Sequence, residues 1–320
     1  MIALRGKNLA KGKLTISIDL ELAWGVWDQL TPEDLSMAES AERPICAALL
    51  ALFDRHGIPA TWAMVAALLD EPSAKARPGS VGCWYAPDIV EQIVHAQAAH
   101  EIGSHGGRHI DLAAAEAREA ESDLLFAKYI HDVHALPFQS LVFPRNRVGN
   151  FDAVARTGLR VYRGRDPGWT NVAHRAGRWA AKAANLADKA LPIPPPAVAP
   201  QTHGDLINLP GSMLLIGRNG ARRFVLPAVT RAKLAMGLNR AIRTGGVFHL
   251  WFHPSNFYYR RQEQFDTLGW FLELAAEQAS RGLIEIATMG SYETSSPSMA
   301  EVEQSLEPVF APAPPTAPAA

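Results

Sequence analysis

Short apolar runs of β character alternate with amphipathic helical segments along most of this chain, and that rhythm limits the folds open to it. Residues 14–18 read as a buried strand, and Pro44 then opens a helix in which Ile45, Ala48, Leu49, Leu52 and Phe53 keep helical spacing up to Gly57. Strands at 58–65 and 101–104 flank a helix over 87–100 that turns Ile89, Ile93 and Val94 inward. A long helix at 113–134, a strand at 140–143, a helix at 151–157 and a strand at 159–162 follow. Strands at 206–209, 213–216, 247–252 and 283–287, with helices at 228–243 and 264–280, complete the pattern. The rhythm breaks once, at an extra helix over 171–189 and a run at 191–200 whose five prolines exclude a central strand or helix.

Alternation of this kind predicts a parallel sheet, either doubly wound or closed into a barrel. Polar residues decide between the two. Asp19 and Glu21, His105, Arg145, Arg163 and Asp166, and His253 each fall at the end of a different strand. In a barrel all those ends open on one mouth, so the expected fold is α/β, a distorted (β/α) barrel of about seven parallel strands. The expected organisation is an arm at 1–13, the barrel at 14–290 with an insertion near 171–205, and a disordered Pro/Ala-rich tail at 291–320.

The chain has 320 residues, 48% of them hydrophobic, enough for one such barrel, and its net charge of −1 gives it no polyelectrolyte character. Cys46 and Cys83 show no paired spacing and are expected to be reduced thiols. The basic residues 1–13 precede an apolar run too short for a secretory core, and charges or prolines interrupt every candidate membrane span. A cytoplasmic protein with no integral membrane segment is the expectation.

Chemistry concentrates at His105 and His109, separated by three residues that include Gly106-Gly107. Two imidazoles at that spacing reach one metal ion, across a helical turn or where the glycines fold the backbone back. A hydrolytic metal site also needs an anionic ligand and a base. Asp19 and Glu21, two apart in an extended strand, point to the same side and offer both.

Asp19-Leu20-Glu21, His105-x-x-x-His109, Phe143-Pro144-Arg145-Asn146, Arg163-x-x-Asp166-x-x-Trp169 and Trp251-Phe252-His253-Pro254 come in the order of the motifs of the polysaccharide deacetylase family. The chain resembles that family, also called the NodB-homology or carbohydrate esterase 4 group, over roughly residues 14–287. The resemblance implies a hydrolase of carbon–nitrogen bonds other than peptide bonds, removing an N-acetyl group from an amino sugar of a polysaccharide or its precursor. It implies one divalent metal, zinc first with Co, Mn, Fe or Ni also compatible, held by Glu21, His105 and His109. Asp19 is then the base, His253 the acid for the leaving amine, and Arg145 the partner that keeps Asp19 ionised. Asp166 would orient His253 or Arg145, and Trp169 would wall the acyl methyl. O-acyl ester hydrolysis, another amide hydrolysis, or a catalytically silent sugar-binding barrel are the alternatives.

Trp24, Trp27, Trp84, Trp169 and Trp251 are by default expected to pack in the core or at the rim, and His56 to sit at a helix C-terminus. One further feature stands apart. From Ile207 to Gln262 there is no Asp or Glu, while Arg218, Arg222, Arg223, Arg231, Lys233, Arg240, Arg243, Arg260 and Arg261 are all present. A solvated basic face accounts for this, and an anionic carbohydrate substrate is the sharper expectation. Nucleic acid is not expected, because no aromatic interleaving accompanies the charge.

Overall fold

The strand Gly12–Leu20 (β1) is buried along almost its whole length, and its two faces do different work. Leu14, Ile16, Ile18 and Leu20 point out beneath the helices, where each fully buried aliphatic side chain contributes about 1.5–3 kcal/mol. Thr15, Ser17 and Asp19 point inward and are equally buried. In the computed structural model, which describes residues 10–167 and 187–295, every other element is arranged about this strand.

In chain order the elements after β1 are helices α1 (Pro32–Ser40) and α2 (Glu42–His56), strand β2 (Thr61–Met64), helices α3 (Glu71–Lys75) and α4 (Pro87–Val94), and strand β3 (Glu101–Ser104). Then come α5 (Ala117–Val133), β4 (Ser140–Val142), α6 (Phe151–Arg156), β5 (Val161–Gly164), β6 (Gln201–His203), β7 (Leu206–Pro210) and β8 (Met213–Leu214). Helix α7 (Pro227–Thr244), β9 (Val247–Phe252), α8 (Arg261–Ser280) and β10 (Ile284–Ile286) end the series. The strands hydrogen-bond in the order β6-β7-β5-β4-β3-β2-β1-β9-β8, with β10 on the first residues of β1. All pairings are parallel except β6 with β7.

The ladder does not close by continuous strand pairing. β7, one strand in from the first margin, and β8 at the other margin are nevertheless halves of one run broken only at Gly211-Ser212. Gly211 N–H still donates to Gly164 O at the end of β5, and Ser212 N–H donates to His249 O on β9. The run thus passes from one margin of the sheet to the other, which gives the α/β, barrel-like arrangement expected from the alternation.

Inside this arrangement the side chains form layers. Ala63, Val142, Val161, Leu209, Val247, Met289 and Tyr292 make an apolar plug. Ser17, His249, Arg163 and Asp19 lie above it as a buried polar layer. The strand ends open beyond that.

Several boundaries differ from expectation for local reasons. The helix over 87–100 stops at Val94, which is exposed, while Ile89, Val90 and Ile93 are buried. The expected arm overlaps β1, since Gly12 and Lys13 already pair with Ile284 and Glu285. The first residues assigned to the tail belong to the 3-10 turn Gly290–Ser295, which buries Tyr292 against Thr15, and residues 296–320 lie outside the described residues. The expected helix at 171–189 falls largely outside the described residues. No helix among the described residues is long and apolar enough to cross a membrane.

Candidate metal and hydrolytic site

Glu21 follows β1 and opens the 3-10 turn Leu22–Val26. Its side chain folds back over that turn, and Gly25 leaves the room: a Cβ there would lie 2.2 Å from Glu21 Oε1. His105 follows β3, and the chain then reverses through Gly106 at a φ of +77°. This loop is tied down from both sides. Ala66 and Ala67 donate to the carbonyls of Gly106 and Gly107, and the buried Asp123 of α5 accepts from the backbone N–H groups of Gly107 and Arg108 at 2.7 and 2.9 Å. His109, itself at a φ of +57°, thereby comes back over His105, with ring centroids 5.0 Å apart.

Both imidazoles meet Glu21. His105 Nε2 and His109 Nε2 stand 3.3 and 3.1 Å from Glu21 Oε2, and one donor atom from each of the three residues lies within 4.8 Å of the others. His105 Nδ1 is 2.8 Å from Val142 O, which only a protonated Nδ1 can satisfy. In the neutral ring the Nε2 lone pair then faces the carboxylate. Lone pairs facing a carboxylate oxygen repel unless a proton or cation lies between them, so this donor set fits a cation. The same contacts set the charges of the groups. Burial alone would raise the Glu21 pKa, but His253, His105 and His109 overcome it and hold the carboxyl well below its ordinary range. Burial likewise opposes charge on His105, and Glu21 with Asp19 still holds it above the usual imidazole value.

Asp19 lies one layer deeper, 2% exposed. Arg163 of β5 donates from Nη1 and Nη2 to its two oxygens at 2.6 and 2.7 Å. Burial pushes the Asp19 pKa up, but Arg163, His253 and His105 bring it below the ordinary value. Behind this pair runs a buried relay. Arg163 Nη1 donates to Ser17 Oγ at 3.0 Å, Ser17 Oγ meets His249 Nε2 at 2.9 Å, and His249 Nδ1 meets Pro210 O at 3.1 Å. Burial, with the positive charge of Arg163 close by, drops the His249 pKa to about 3, so the ring is a neutral link. His253, after β9, is partly exposed, with Nε2 3.4 Å from Asp19 Oδ2 and 3.6 Å from Glu21 Oε1.

Two expectations are corrected here. Arg145 does not pair with Asp19. It sits in a 3-10 turn with a φ of +58°, and its Nη2 meets Asp28 at 2.6 Å instead. Arg163 takes the expected place because it lies within a strand, on the inward face. Asp166 is not the partner of Arg145 or His253 either; its carboxylate accepts from Trp251 Nε1 at 3.1 and 3.0 Å. That indole stacks over the Arg163 guanidinium at 4.3 Å. Trp169 lies outside the described residues.

Residues 30–145 match the family model described as polysaccharide deacetylase. Over that stretch the chain is similar to polysaccharide deacetylases. That match indicates a hydrolase acting on carbon–nitrogen bonds other than peptide bonds. Among solved structures, the chain is 16% identical to a “putative polysaccharide deacetylase from Mycobacterium smegmatis”, with a TM-score of 0.61 covering 98% of this chain and 96% of that one. It is 14% identical to “Puue Allantoinase”, with a TM-score of 0.59 and 90% of each chain covered. A “probable Polysaccharide deacetylase from Pseudomonas aeruginosa PAO1” is 15% identical, with a TM-score of 0.57 covering 88% of this chain and 89% of that one. At such identities these three speak for the fold alone. No curated protein sequence matches the chain.

Within the deacetylase-like chain, the matched stretch holds His105 and His109 but not Asp19, Glu21, Arg163 or His253. Those four join the site only in space. Two supporting residues carry a signal in the sequence itself. Arg163 interrupts an otherwise apolar strand run, and Asp123 shares the buried stripe of α5 with Ala120, Ala127 and Ile130. A charge on a buried face needs a partner.

Proposed function

We propose that this chain is a metal-dependent hydrolase that removes an acetyl group from the nitrogen of an amino sugar in a glycan or its precursor. One observation carries the reading: Glu21, His105 and His109 converge on a common point at the strand ends, with Asp19 and His253 beside it. Two imidazole nitrogens and one carboxylate suit zinc first, with cobalt, manganese, iron or nickel also compatible. A divalent cation held by these three residues would supply Lewis acidity to the acyl carbonyl and to water.

The remaining chemistry belongs to the chain itself. Asp19 takes the proton of the attacking water, and Arg163 fixes its orientation and keeps it ionised. His253 reaches solvent and lies within 3.4 Å of Asp19, so it hands a proton to the departing nitrogen. A second reading is favoured by one feature: Arg163 already engages both Asp19 oxygens, which weakens that carboxylate as a base. Under it His253 both takes and returns the proton, while Asp19 orients it. A cytoplasmic setting is part of the proposal, and the buried free thiols of Cys46 and Cys83 suit it.

The test is acetate release from N-acetylated oligosaccharides by purified protein, with and without added zinc. Release that a chelator abolishes and metal restores is the expected result. Sugar binding insensitive to chelator, with no acetate from any acetylated glycan, would point instead to a silent binding barrel. Faster release from O-acetylated sugars would assign an esterase.

A further inference from the structure

Next to the triad is a cavity that the hydrolytic scheme does not use. It measures about 730 Å³, within the range of small-molecule sites, and opens between the segments after β4 and β5 and the run around β8. It shares a wall with the site. Asp166 lines it and accepts from Trp251 Nε1, and the Trp251 ring stands 6.0 Å from that of His253.

The walls are strongly basic. Arg145, Arg147, Arg165, Lys189, Lys233 and Arg240 line the cavity, and among the described residues its carboxylates are those of Asp166 and Asp188. Those two acids are engaged, Asp166 by the indole and Asp188 by Lys233. Arg145 and Arg147 are braced by Asp28 and Asp111, residues that do not line the cavity. Among the described residues neither Arg165 nor Arg240 forms an ion pair. The acid-free stretch from Ile207 to Gln262 supplies Lys233 and Arg240, so nothing nearby in sequence offsets them. Opposite the charges, Ile193, Met213, Leu214 and Ile216 form an apolar wall.

The guanidinium groups of Arg165 and Arg240, without acid partners among the described residues, on a partly open cavity with an apolar wall, match a phosphate oxyanion joined to a carbon skeleton. We propose that this cavity is the subsite for a phosphate or diphosphate ester carried by the substrate, with the acylated sugar directed past Trp251 toward the triad. The proposal rests on the hydrolase reading for what lies beyond Trp251, but binding of the anion itself does not require metal. Two sources share the chemistry, a soluble nucleotide and a lipid headgroup. Exposed Phe224 and Leu226, next to Arg222 and Arg223, give the second a surface on which to rest.

The experiment is calorimetric titration of the full chain, after removal of metal by chelator, with inorganic pyrophosphate. Binding that weakens as salt rises is expected, and Arg165→Ala with Arg240→Ala should weaken it by about a hundredfold, the loss of two charge-assisted hydrogen bonds. Melting temperature and zinc stoichiometry of that variant should match the parent, which separates lost binding from lost folding. The lysine pair Arg165→Lys with Arg240→Lys should recover part of the affinity. Uridine diphosphate in solution and phosphatidylcholine vesicles doped with phosphatidic acid then distinguish the sources, and binding of either supports the proposal. Affinity unchanged in the alanine variant, insensitivity to salt, or no binding of any of the three probes overturns it. Because metal is absent from this assay, failure of the hydrolase reading would show separately, as no acetate release from any acetylated glycan even with zinc restored.

Discussion

Arg163 grips both carboxylate oxygens of Asp19 across 144 residues of chain, with the guanidinium fully buried and an indole stacked on its face. A pair this deep gains little stability over an apolar alternative, but breaking it on one side leaves a charge in a medium that cannot solvate it.

Arg163→Met should therefore destabilise the protein by about 3–5 kcal/mol in chemical denaturation, more than its lost packing alone. Adding Asp19→Asn should return a large part of that, because the stranded carboxylate is gone. Additive losses in the double variant would show that the two side chains do not depend on each other.

The cation site should hold one divalent ion per chain. Glu21→Ala, His105→Ala or His109→Ala should each lower zinc affinity by at least about a hundredfold in competition with a chromogenic chelator, beyond the loss typical of an outer-shell change. Gly25→Ala is the more discriminating variant. It leaves every donor in place but sets a methyl where Glu21 Oε1 lies, so metal affinity should fall while the fold is kept.

Under the proposed hydrolytic scheme, proton transfer divides between Asp19 and His253. With metal retained, His253→Ala and Asp19→Asn should each lower kcat by about 10²–10⁴ if both groups handle protons. If Asp19 only orients His253, Asp19→Asn should cost the less of the two, and comparison of the two variants by single-turnover acetate release decides between the readings.

Far from the site, His131 of α5 is fully buried, and its Nδ1 donates to Pro137 O at 2.6 Å. Burial drops its pKa from the ordinary imidazole value of 6.5 to about 4. The folded state thus binds fewer protons than the unfolded chain between these two values. Its contribution is fully present above about pH 6.5 and is lost as pH falls toward about 4, amounting to about 3 kcal/mol. Denaturation midpoints measured through that window should show the fall, and His131→Gln should flatten it.

What the sequence determined unaided was the alternation that makes a parallel α/β sheet, and the supply of donors at its strand ends. A two-residue period puts Asp19 and Glu21 on one side of a strand, and two glycines between His105 and His109 let a loop reverse, whatever surrounds them. Local rules sufficed there because the partners are near in sequence. The choice of arginine was different. Arg145 and Arg163 both end strands, and only the folded chain shows that a left-handed backbone turns Arg145 toward Asp28 while Arg163 remains on the inward face of β5. The handover at Gly211-Ser212, and the basic cavity next to it, likewise arise where segments distant in sequence meet, and pairing between such segments is set by the three-dimensional packing of the whole sheet.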